Sequence, residues 1–298
     1  MEIIADRAGS VGPDVTTTIS IGAYDGIHLG HQLVIDQVRR RAAELGTATG
    51  IVTFDRHPAL VLRPENAPKL LTTLEQRLDL IAAAGIDYVY LVEFDLERSR
   101  TTAEQFVREV FVDSLHARSV VVGADFHFGQ GRSGDVDALR VFGERYGFDV
   151  TGLDLIRPDA DALEPVSSTA IRRALAGGEV ARAAELLGRY YEIRGEVIMG
   201  DQRGRTIGFP TANIPVDLRM AWPADGVYAG WYERPSGDVH ECAINVGRRP
   251  TFYEDAETSL LEAHLLDFDD DLYDVQARVR FADFLRSERT FDGSDAVI

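Results

Sequence analysis

From Thr16 to about Val150, short β-branched runs alternate with longer stretches in which apolar residues recur every three or four positions. The short runs read as buried strands and the periodic stretches as amphipathic helices, which gives a βαβ rhythm. Strands are expected at Thr17 to Ile21, Thr49 to Phe54, Tyr88 to Phe94 and Ser119 to Gly123, and helices near Leu29 to Leu45, Leu74 to Ala84, Thr102 to Ser114 and Val136 to Tyr146. The architecture that follows is α/β, a mostly parallel sheet with helices on both faces. Ligands of such sheets bind at the carboxyl ends of strands, where Gly22, Phe54 to Pro58 and Gly123 to Gly134 all fall.

The segment Ala174 to Tyr191 carries a helix, a Gly177-Gly178 interruption and a second helix ending near Gly188, and reads as a junction. After Tyr190 the rhythm changes. Tyr191 to Val197, Gly226 to Tyr232, His240 to Val246, Leu260 to Leu266 and Gln276 to Phe284 read as strands separated by turns, which predicts an antiparallel sheet or closed barrel. Two domains are therefore expected, 1–186 and 187–298, in line with one domain per roughly 150 residues.

Composition narrows the functional classes. A net charge of -18 argues against a general nucleic-acid binder, which gains affinity through clustered Lys and Arg. Phosphate-bearing ligands must then meet locally basic pockets. Cys242 is the chain's single cysteine, so no internal disulfide forms, and it reads as a small buried hydrophobe. Met1 to Asp14 has three acidic residues and no long apolar core, and no uninterrupted apolar span of about 18 residues occurs, so a soluble cytoplasmic protein without membrane partners is expected. The oligomeric state stays open.

The densest candidate chemistry is Gly22-Ala23-Tyr24-Asp25-Gly26-Ile27-His28-Leu29-Gly30-His31, which joins an apolar strand to a helix through glycines. Gly22 and Gly26 allow a sharp turn, and the free N–H groups of the helix face an anion. His28 and His31, two of the chain's 7 histidines, are spaced to share a helical face and to stabilise charge on a phosphoryl group under attack. The alternative is a pair of surface histidines at a helix start. The H-x-G-H core with its preceding G-x-x-D-G resembles the nucleotidyltransferase superfamily, whose members join an acceptor to the α-phosphate of a nucleotide. Such a domain needs a second phosphate segment, and Val166-Ser167-Ser168-Thr169-Ala170-Ile171-Arg172 fits: Ser167 as a helix cap, with Ser168, Thr169 and Arg172 reaching phosphate oxygens. Read alone, this segment also admits an ordinary capped helix.

A second site is suggested by the glycine and arginine loop Gly200-Asp201-Gln202-Arg203-Gly204-Arg205-Thr206-Ile207-Gly208, which runs into Phe209-Pro210-Thr211-Ala212-Asn213. The Thr211 hydroxyl and Asn213 carbonyl are hard oxygen ligands suited to Mg²⁺. A polar β-turn is the other reading. In the apolar run around Leu261, a period of two puts Glu262 and His264 on one face, and a carboxylate beside a metal-nucleotide site is a candidate general base. An ordinary edge-strand Glu is the alternative.

Six motifs follow one another: G-x-x-D-G-x-H-x-G-H, T-F-D-R-H-P, G-A-D-F-H-F-G-x-G-R-x-G-D, S-S-T-A-I-R, G-F-P-T-A-N and E-A-H-L-L-D-F. In that order they closely resemble the bacterial bifunctional riboflavin kinase and FAD synthetase family, across nearly the whole chain. The resemblance implies an α/β nucleotidyltransferase (Rossmann-like) domain that adenylates FMN to FAD, followed by an all-β antiparallel barrel that phosphorylates riboflavin to FMN. ATP serves both steps with Mg²⁺. By the resemblance, Gly22, Tyr24, Asp25, His28, His31, Ser167, Ser168, Thr169 and Arg172 form the first nucleotide site, with Asp125 near both nucleotide and flavin. Phe54, Pro58, Phe126 and Phe128 are candidate flavin contacts, with core packing expected for at least one ring. In the kinase half, Gly200, Arg205, Gly208 and Pro210 line the nucleotide loop, Thr211 and Asn213 match the metal and phosphate ligands, and Glu262 matches the base that meets the flavin hydroxyl.

The chain departs from the family pattern at Tyr24, where Phe is usual, and at Gln202 and Asp274, where Gly is common. A left-handed backbone at either of the last two would carry strain. Ser294 to Ile298 begins what the family continues as a terminal helix. Besides the two-activity enzyme, the pattern admits a chain that retains only the adenylyltransferase, or a non-catalytic flavin-binding protein on the same scaffold.

Overall fold

The computed structural model describes residues 1–6, 12–154, 164–199, 210–247 and 258–287. The chain divides into two compact units, Met1–Ser167 and Ser168–Ile298. In the first, the strands β1 (Glu2–Ala5), β2 (Thr17–Ile21), β3 (Ala48–Phe54), β4 (Tyr88–Val92), β5 (Ala117–Gly123) and β6 (Asp149–Leu153) form one sheet in the order β1-β4-β3-β2-β5-β6. Every pairing in it is parallel. The helices of this unit are α1 (Leu29–Leu45), α2 (Pro58–Leu62), α3 (Leu74–Ala83), α4 (Ala103–Phe106, continued by wider turns over Val107–Ser114) and α5 (Val136–Tyr146).

The chain runs β2, β3, β4 outward in one direction and then returns to place β5 and β6 on the other side of β2. The carboxyl ends of β2 and β5 therefore flank a topological switch point, where open α/β sheets hold their ligands. β2 is buried at every position, polar ones included. Its hydroxyls are satisfied: Thr17 Oγ1 donates to the Leu115 carbonyl at 2.7 Å, Thr18 Oγ1 pairs with Thr47 Oγ1 at 2.7 Å, and Ser20 Oγ accepts from Tyr24 at 2.7 Å. That satisfaction is what lets a Thr-Thr-Ile-Ser-Ile strand occupy the middle of a sheet. Alternate strand residues supply two cores. Ile51, Val89 and Val121 pack with Ile35 and Val38 of α1 and Ile81 of α3, while Ile19, Val52 and Val120 pack with Phe106, Phe111 and Leu139.

The second unit begins with α6 (Ser168–Ala176) and α7 (Val180–Leu187) and continues into β7 (Tyr191–Glu196), β8 (Ala212–Asp217), β9 (Gly226–Glu233), β10 (Val239–Gly247), β11 (Thr258–Leu265) and β12 (Gln276–Arg286). The compact unit starts ahead of residue 187 because these helices pack on the strands. Ala224 N donates to the Leu175 carbonyl at 3.0 Å, and Gly178 lies against Ala224, Tyr228 and Phe284. The strands pair antiparallel in the order β7-β12-β9-β10-β11-β8. The two end strands nearly close the barrel, since Ile198, just beyond β7, donates to the Asn213 carbonyl of β8 at 2.8 Å. Gly195 permits that approach, for a Cβ there would stand 2.7 Å from Ile214 Cγ2 and 3.1 Å from the Pro215 carbonyl. The interior is filled by Ile193, Ile214, Tyr228, Tyr232, Ile244, Leu261, Val279 and Phe281.

The expected α/β half and β barrel are both present, and the structure adds β1, β6, β8 and α2. Each of the three strands has a local reason to escape the pattern. β1 is a four-residue edge strand with Ile3 exposed, β6 is an edge strand interrupted by Gly152, and β8 carries Asn213 and Pro215 within its apolar alternation.

Candidate functional site

The loop that leaves β2 bends through three left-handed residues, Tyr24 (φ 51°), Gly26 (φ 86°) and Ile27 (φ 39°). A β-branched residue in that region is a genuine outlier, and such strain persists only where the surroundings over-determine it. Here they do. Asp25, 3% exposed, accepts from Leu71 N at 2.9 and 3.0 Å and from Thr72 N at 3.0 Å. Gly26 N donates to Thr72 Oγ1 at 3.1 Å. The Asp25 carboxylate thus pins the turn from within.

Tyr24 is buried, donates its hydroxyl to Ser20 and packs its ring 4.9 Å from that of His31. Burial pushes its pKa well above the ordinary tyrosine value, with the Ser20 hydrogen bond opposing the shift. The Tyr24 hydroxyl is therefore accommodated by the one residue of β2 that is not β-branched.

His28 is the N-cap of α1, with φ −72° and ψ 171°, and its Nδ1 accepts from His31 N at 3.3 Å. The two imidazoles come together by stacking, with centroids 3.7 Å apart and planes 17° from parallel, because His28 precedes the helix proper. Since Nδ1 of His28 is an acceptor, the neutral ring carries its proton on Nε2. Gly30 makes room for this: a Cβ there would stand 3.0 Å from the His28 ring and 3.6 Å from the Val166 carbonyl. The same contact brings the end of the first unit beside the start of α1. Ser167 immediately precedes α6, and Ser168, Thr169 and Arg172 belong to that helix.

Flanking loops contribute rings. Phe54 ends β3 half-buried, edge-on to Phe94 at 5.5 Å, and Pro58 is the first residue of α2, capped by His57. Beyond β5, Asp125 is exposed, and Phe126 stacks on Phe128 at 5.3 Å. Phe128 is buried and belongs to the core with Phe106, so core packing claims at least this ring.

Sequence reasoning missed Arg77. It is 6% exposed on the apolar stripe of α3, and it donates to the carbonyls of Ala23 at 2.8 Å and Phe54 at 2.5 Å. A charge at an apolar position of a periodic helix, between Leu74 before it and Ile81 after it, was the signal available.

In the barrel, pairing decides which polar groups meet. Glu262 of β11 lies opposite Asn213 of β8 on one side and Asn245 of β10 on the other. Opposed residues share a face, so Asn213, Glu262 and Asn245 form one row across three strands, while Leu261, Ala263 and Leu265 fill the interior. Glu262 and His264 share the outer face, as period two required. Asn245 was not anticipated; the polar residue inside Ile244-Asn245-Val246 was its only trace.

Asn213 is buried and donates from Nδ2 to the Thr211 carbonyl at 3.2 Å, which leaves Oδ1 as its acceptor. His264 Nδ1 is 2.8 Å from the Pro210 carbonyl; as a carbonyl only accepts, Nδ1 carries the proton and ties the Pro-Thr-Ala-Asn turn to β11. Among the described residues no group of three or more His, Cys, Asp or Glu could hold a metal. The donors here are a hydroxyl, an amide carbonyl and one carboxylate, a sparse oxygen set that suits Mg²⁺ completed by phosphate and water.

Gly200, Arg205 and Gly208 lie outside the described residues, as do Gln202 and Ser294 to Ile298. Asp274 has φ 59°, the left-handed backbone that favours glycine, although Asp tolerates it better than most residues. Cys242 is buried in the barrel, where it packs as a small apolar side chain and desolvation pushes its thiol pKa up to about 12.

A family model described as FAD synthetase matches residues 13–170, and one described as riboflavin kinase matches residues 187–298. Several relatives carry the name bifunctional riboflavin kinase/FMN adenylyltransferase. That of Listeria monocytogenes is 38% identical over 286 residues, 96% of this chain and 89% of its own. Those of Haemophilus influenzae and Escherichia coli K12 are 37% and 36% identical, over 93% and 96% of this chain and 88% and 90% of theirs. The crystal structure of a macrolide-efflux protein from Streptococcus pneumoniae superposes with a TM-score of 0.87 at 29% identity, covering 99% of this chain and 94% of that one.

Proposed function

The chain belongs to the bifunctional riboflavin kinase/FMN adenylyltransferase family, and from that premise we propose how its residues divide the two reactions. The enzyme phosphorylates riboflavin with ATP to give FMN, and adenylates FMN with a second ATP to give FAD and pyrophosphate. Functionally, residues 1–186 serve adenylylation and 187–298 serve the kinase.

At the end of β2, His28 and His31 donate to the triphosphate of ATP, with the backbone amides opening α1 beside them. A phosphate oxygen of FMN attacks the α-phosphorus, and the bond to pyrophosphate breaks. FMN phosphate is already ionised near neutral pH, so no general base is needed and positioning supplies the acceleration. Ser167, Ser168, Thr169 and Arg172 are the further proposed phosphate-binding residues. Phe54, Pro58 and Phe126 border the flavin, and Asp125 lies between flavin and nucleotide. Gly22, Tyr24 and Asp25 serve by shaping the turn, a role supported by the burial of Tyr24 and Asp25.

In the barrel, Glu262 takes the proton of the ribityl 5′-hydroxyl as its oxygen attacks the γ-phosphorus of ATP and ADP leaves. Thr211 and Asn213 would hold Mg²⁺, which, when bound, offsets the charge of the transferring phosphate. Gly200, Arg205, Gly208 and Pro210 are the proposed nucleotide-binding residues of this half. The observation that carries the kinase assignment is the register that sets Glu262 opposite Asn213.

Small molecules are the proposed partners, with no nucleic acid and no membrane, in the cytoplasm. The net charge of -18 supports the lack of a nucleic-acid partner, and no described helix is long and apolar enough to cross a membrane. The test is a time course with riboflavin, ATP and Mg²⁺, repeated from FMN, with the flavins resolved chromatographically. FMN accumulating before FAD is the expected result. FAD formed only from supplied FMN would remove the kinase half, and no product from either start would overturn both.

A further inference from the structure

Arginine keeps its charge at any physiological pH, so a buried guanidinium needs acceptors for its donors. Arg77 finds them at two strand ends. Nη1 meets the carbonyl of Ala23, in the turn that leaves β2, and Nη2 meets the carbonyl of Phe54, the last residue of the adjacent parallel strand β3. One planar fork therefore spans the carboxyl ends of two neighbouring strands, on the edge where the switch point lies. The segment leading into α3 holds the same turn from a second direction, through the amides of Leu71 and Thr72 on Asp25 and the Thr72 hydroxyl on Gly26.

The charge is not cancelled by these contacts. Both acceptors are neutral carbonyls, and Arg77 Nε is buried with no acceptor among the described residues. Desolvation is the largest influence on the group and holds its pKa below the ordinary arginine value, with Asp25 and then Asp55 opposing it through space. A positive charge so placed lies beneath the Gly22–His28 turn and the exit of β3, inside the protein, where screening by salt is weak.

We propose that Arg77 is a positioning residue for adenylyl transfer: it locks the Gly22–His28 turn to the end of β3, and its residual charge favours the phosphate groups held above it. This rests on the assignment of that edge to FMN adenylylation. Lysine at the same place keeps the charge but has a single nitrogen, which cannot reproduce the fork. Methionine keeps comparable volume and loses both.

The test uses full-length Arg77→Lys and Arg77→Met chains, with kcat and KM measured for FAD formation from supplied FMN, and riboflavin phosphorylation measured on the same samples. Both variants are expected to lower kcat for FAD formation at least tenfold, with riboflavin phosphorylation within twofold of the parent. KM for FMN and ATP should rise in the Met variant and stay near the parent value in the Lys variant. Parent kcat in the Lys variant would overturn the proposal. So would a parallel loss of both activities in the Lys variant, since that describes a residue needed only for folding. A parent chain that forms no FAD from FMN would overturn the underlying assignment and this inference with it, a failure distinguishable from the first two.

Discussion

The ring of His28 lies flat against that of His31, 3.7 Å between centroids, while the His31 amide donates to His28 Nδ1. One side chain thus caps α1 and presents an imidazole at the same helix end. The two roles separate in His28→Asn. Asn is among the best N-cap residues, so the change should cost at most about 1 kcal/mol of stability. FAD formation from FMN should nevertheless fall by about 10²-fold or more, as for loss of a transition-state hydrogen-bond donor. Thermal unfolding and FAD formation measured on one preparation check this, and parent-like FAD formation would remove His28 from the transfer step.

Glu262→Gln keeps the side-chain size and removes the proton acceptor. Riboflavin phosphorylation should fall by about 10² to 10⁴ in kcat, the usual worth of a general base. FAD formation from supplied FMN should be unchanged. Chromatographic assays started separately from riboflavin and from FMN distinguish the outcomes, and a kinase at the parent rate would sink the assignment.

The Tyr24–Ser20 hydrogen bond is buried on both sides. Ser20→Ala would strand the tyrosine hydroxyl and should cost about 1–3 kcal/mol, the usual penalty for an unsatisfied buried group. Tyr24→Phe alone should cost less, and the double variant should recover much of the Ser20→Ala loss. A double-mutant cycle by denaturant unfolding reads the coupling, and purely additive effects would contradict it.

Cys242 makes a pH prediction with a definite sign. Its thiol pKa is raised by burial from 9.0 to about 12, so the folded state keeps the proton longer than the unfolded chain. The stability this contributes is fully present below pH 9 and is lost as pH rises from 9 toward 12, because only the unfolded thiol ionises in that window. Iodoacetamide at pH 8 should leave the native thiol unmodified and label it in denaturant. Rapid labelling of the native chain would show the thiol to be accessible.

Much of both halves was legible because hydrophobic period reports local structure directly. The β-branched run at Thr17 to Ile21 followed by the periodic stretch from Leu29 to Leu45 marks β2 and α1, and the glycine-framed histidines mark the turn between them. β8 was missed because Asn213 and Pro215 interrupt its alternation, although Pro215 is tolerated on an end strand where a ladder hydrogen bond is dispensable. Tyr24 and Asp25 were legible as members of the glycine-framed loop between β2 and α1. Their burial was not, because the partners Ser20, Leu71 and Thr72 become partners only when the chain folds back.

By itself the sequence determined most of the order of strands and helices, the change from βαβ to antiparallel pairing near Tyr190, and the two stretches proposed to handle phosphate. Those properties depend on residue type and short-range spacing. The tertiary structure alone decided that Glu262 stands between Asn213 and Asn245, that His28 stacks on His31 from outside the helix, and that the Arg77 fork joins Ala23 to Phe54. Each of these depends on strand register or on a buried charge finding distant carbonyls, and both are settled by long-range pairing energies that no local period encodes.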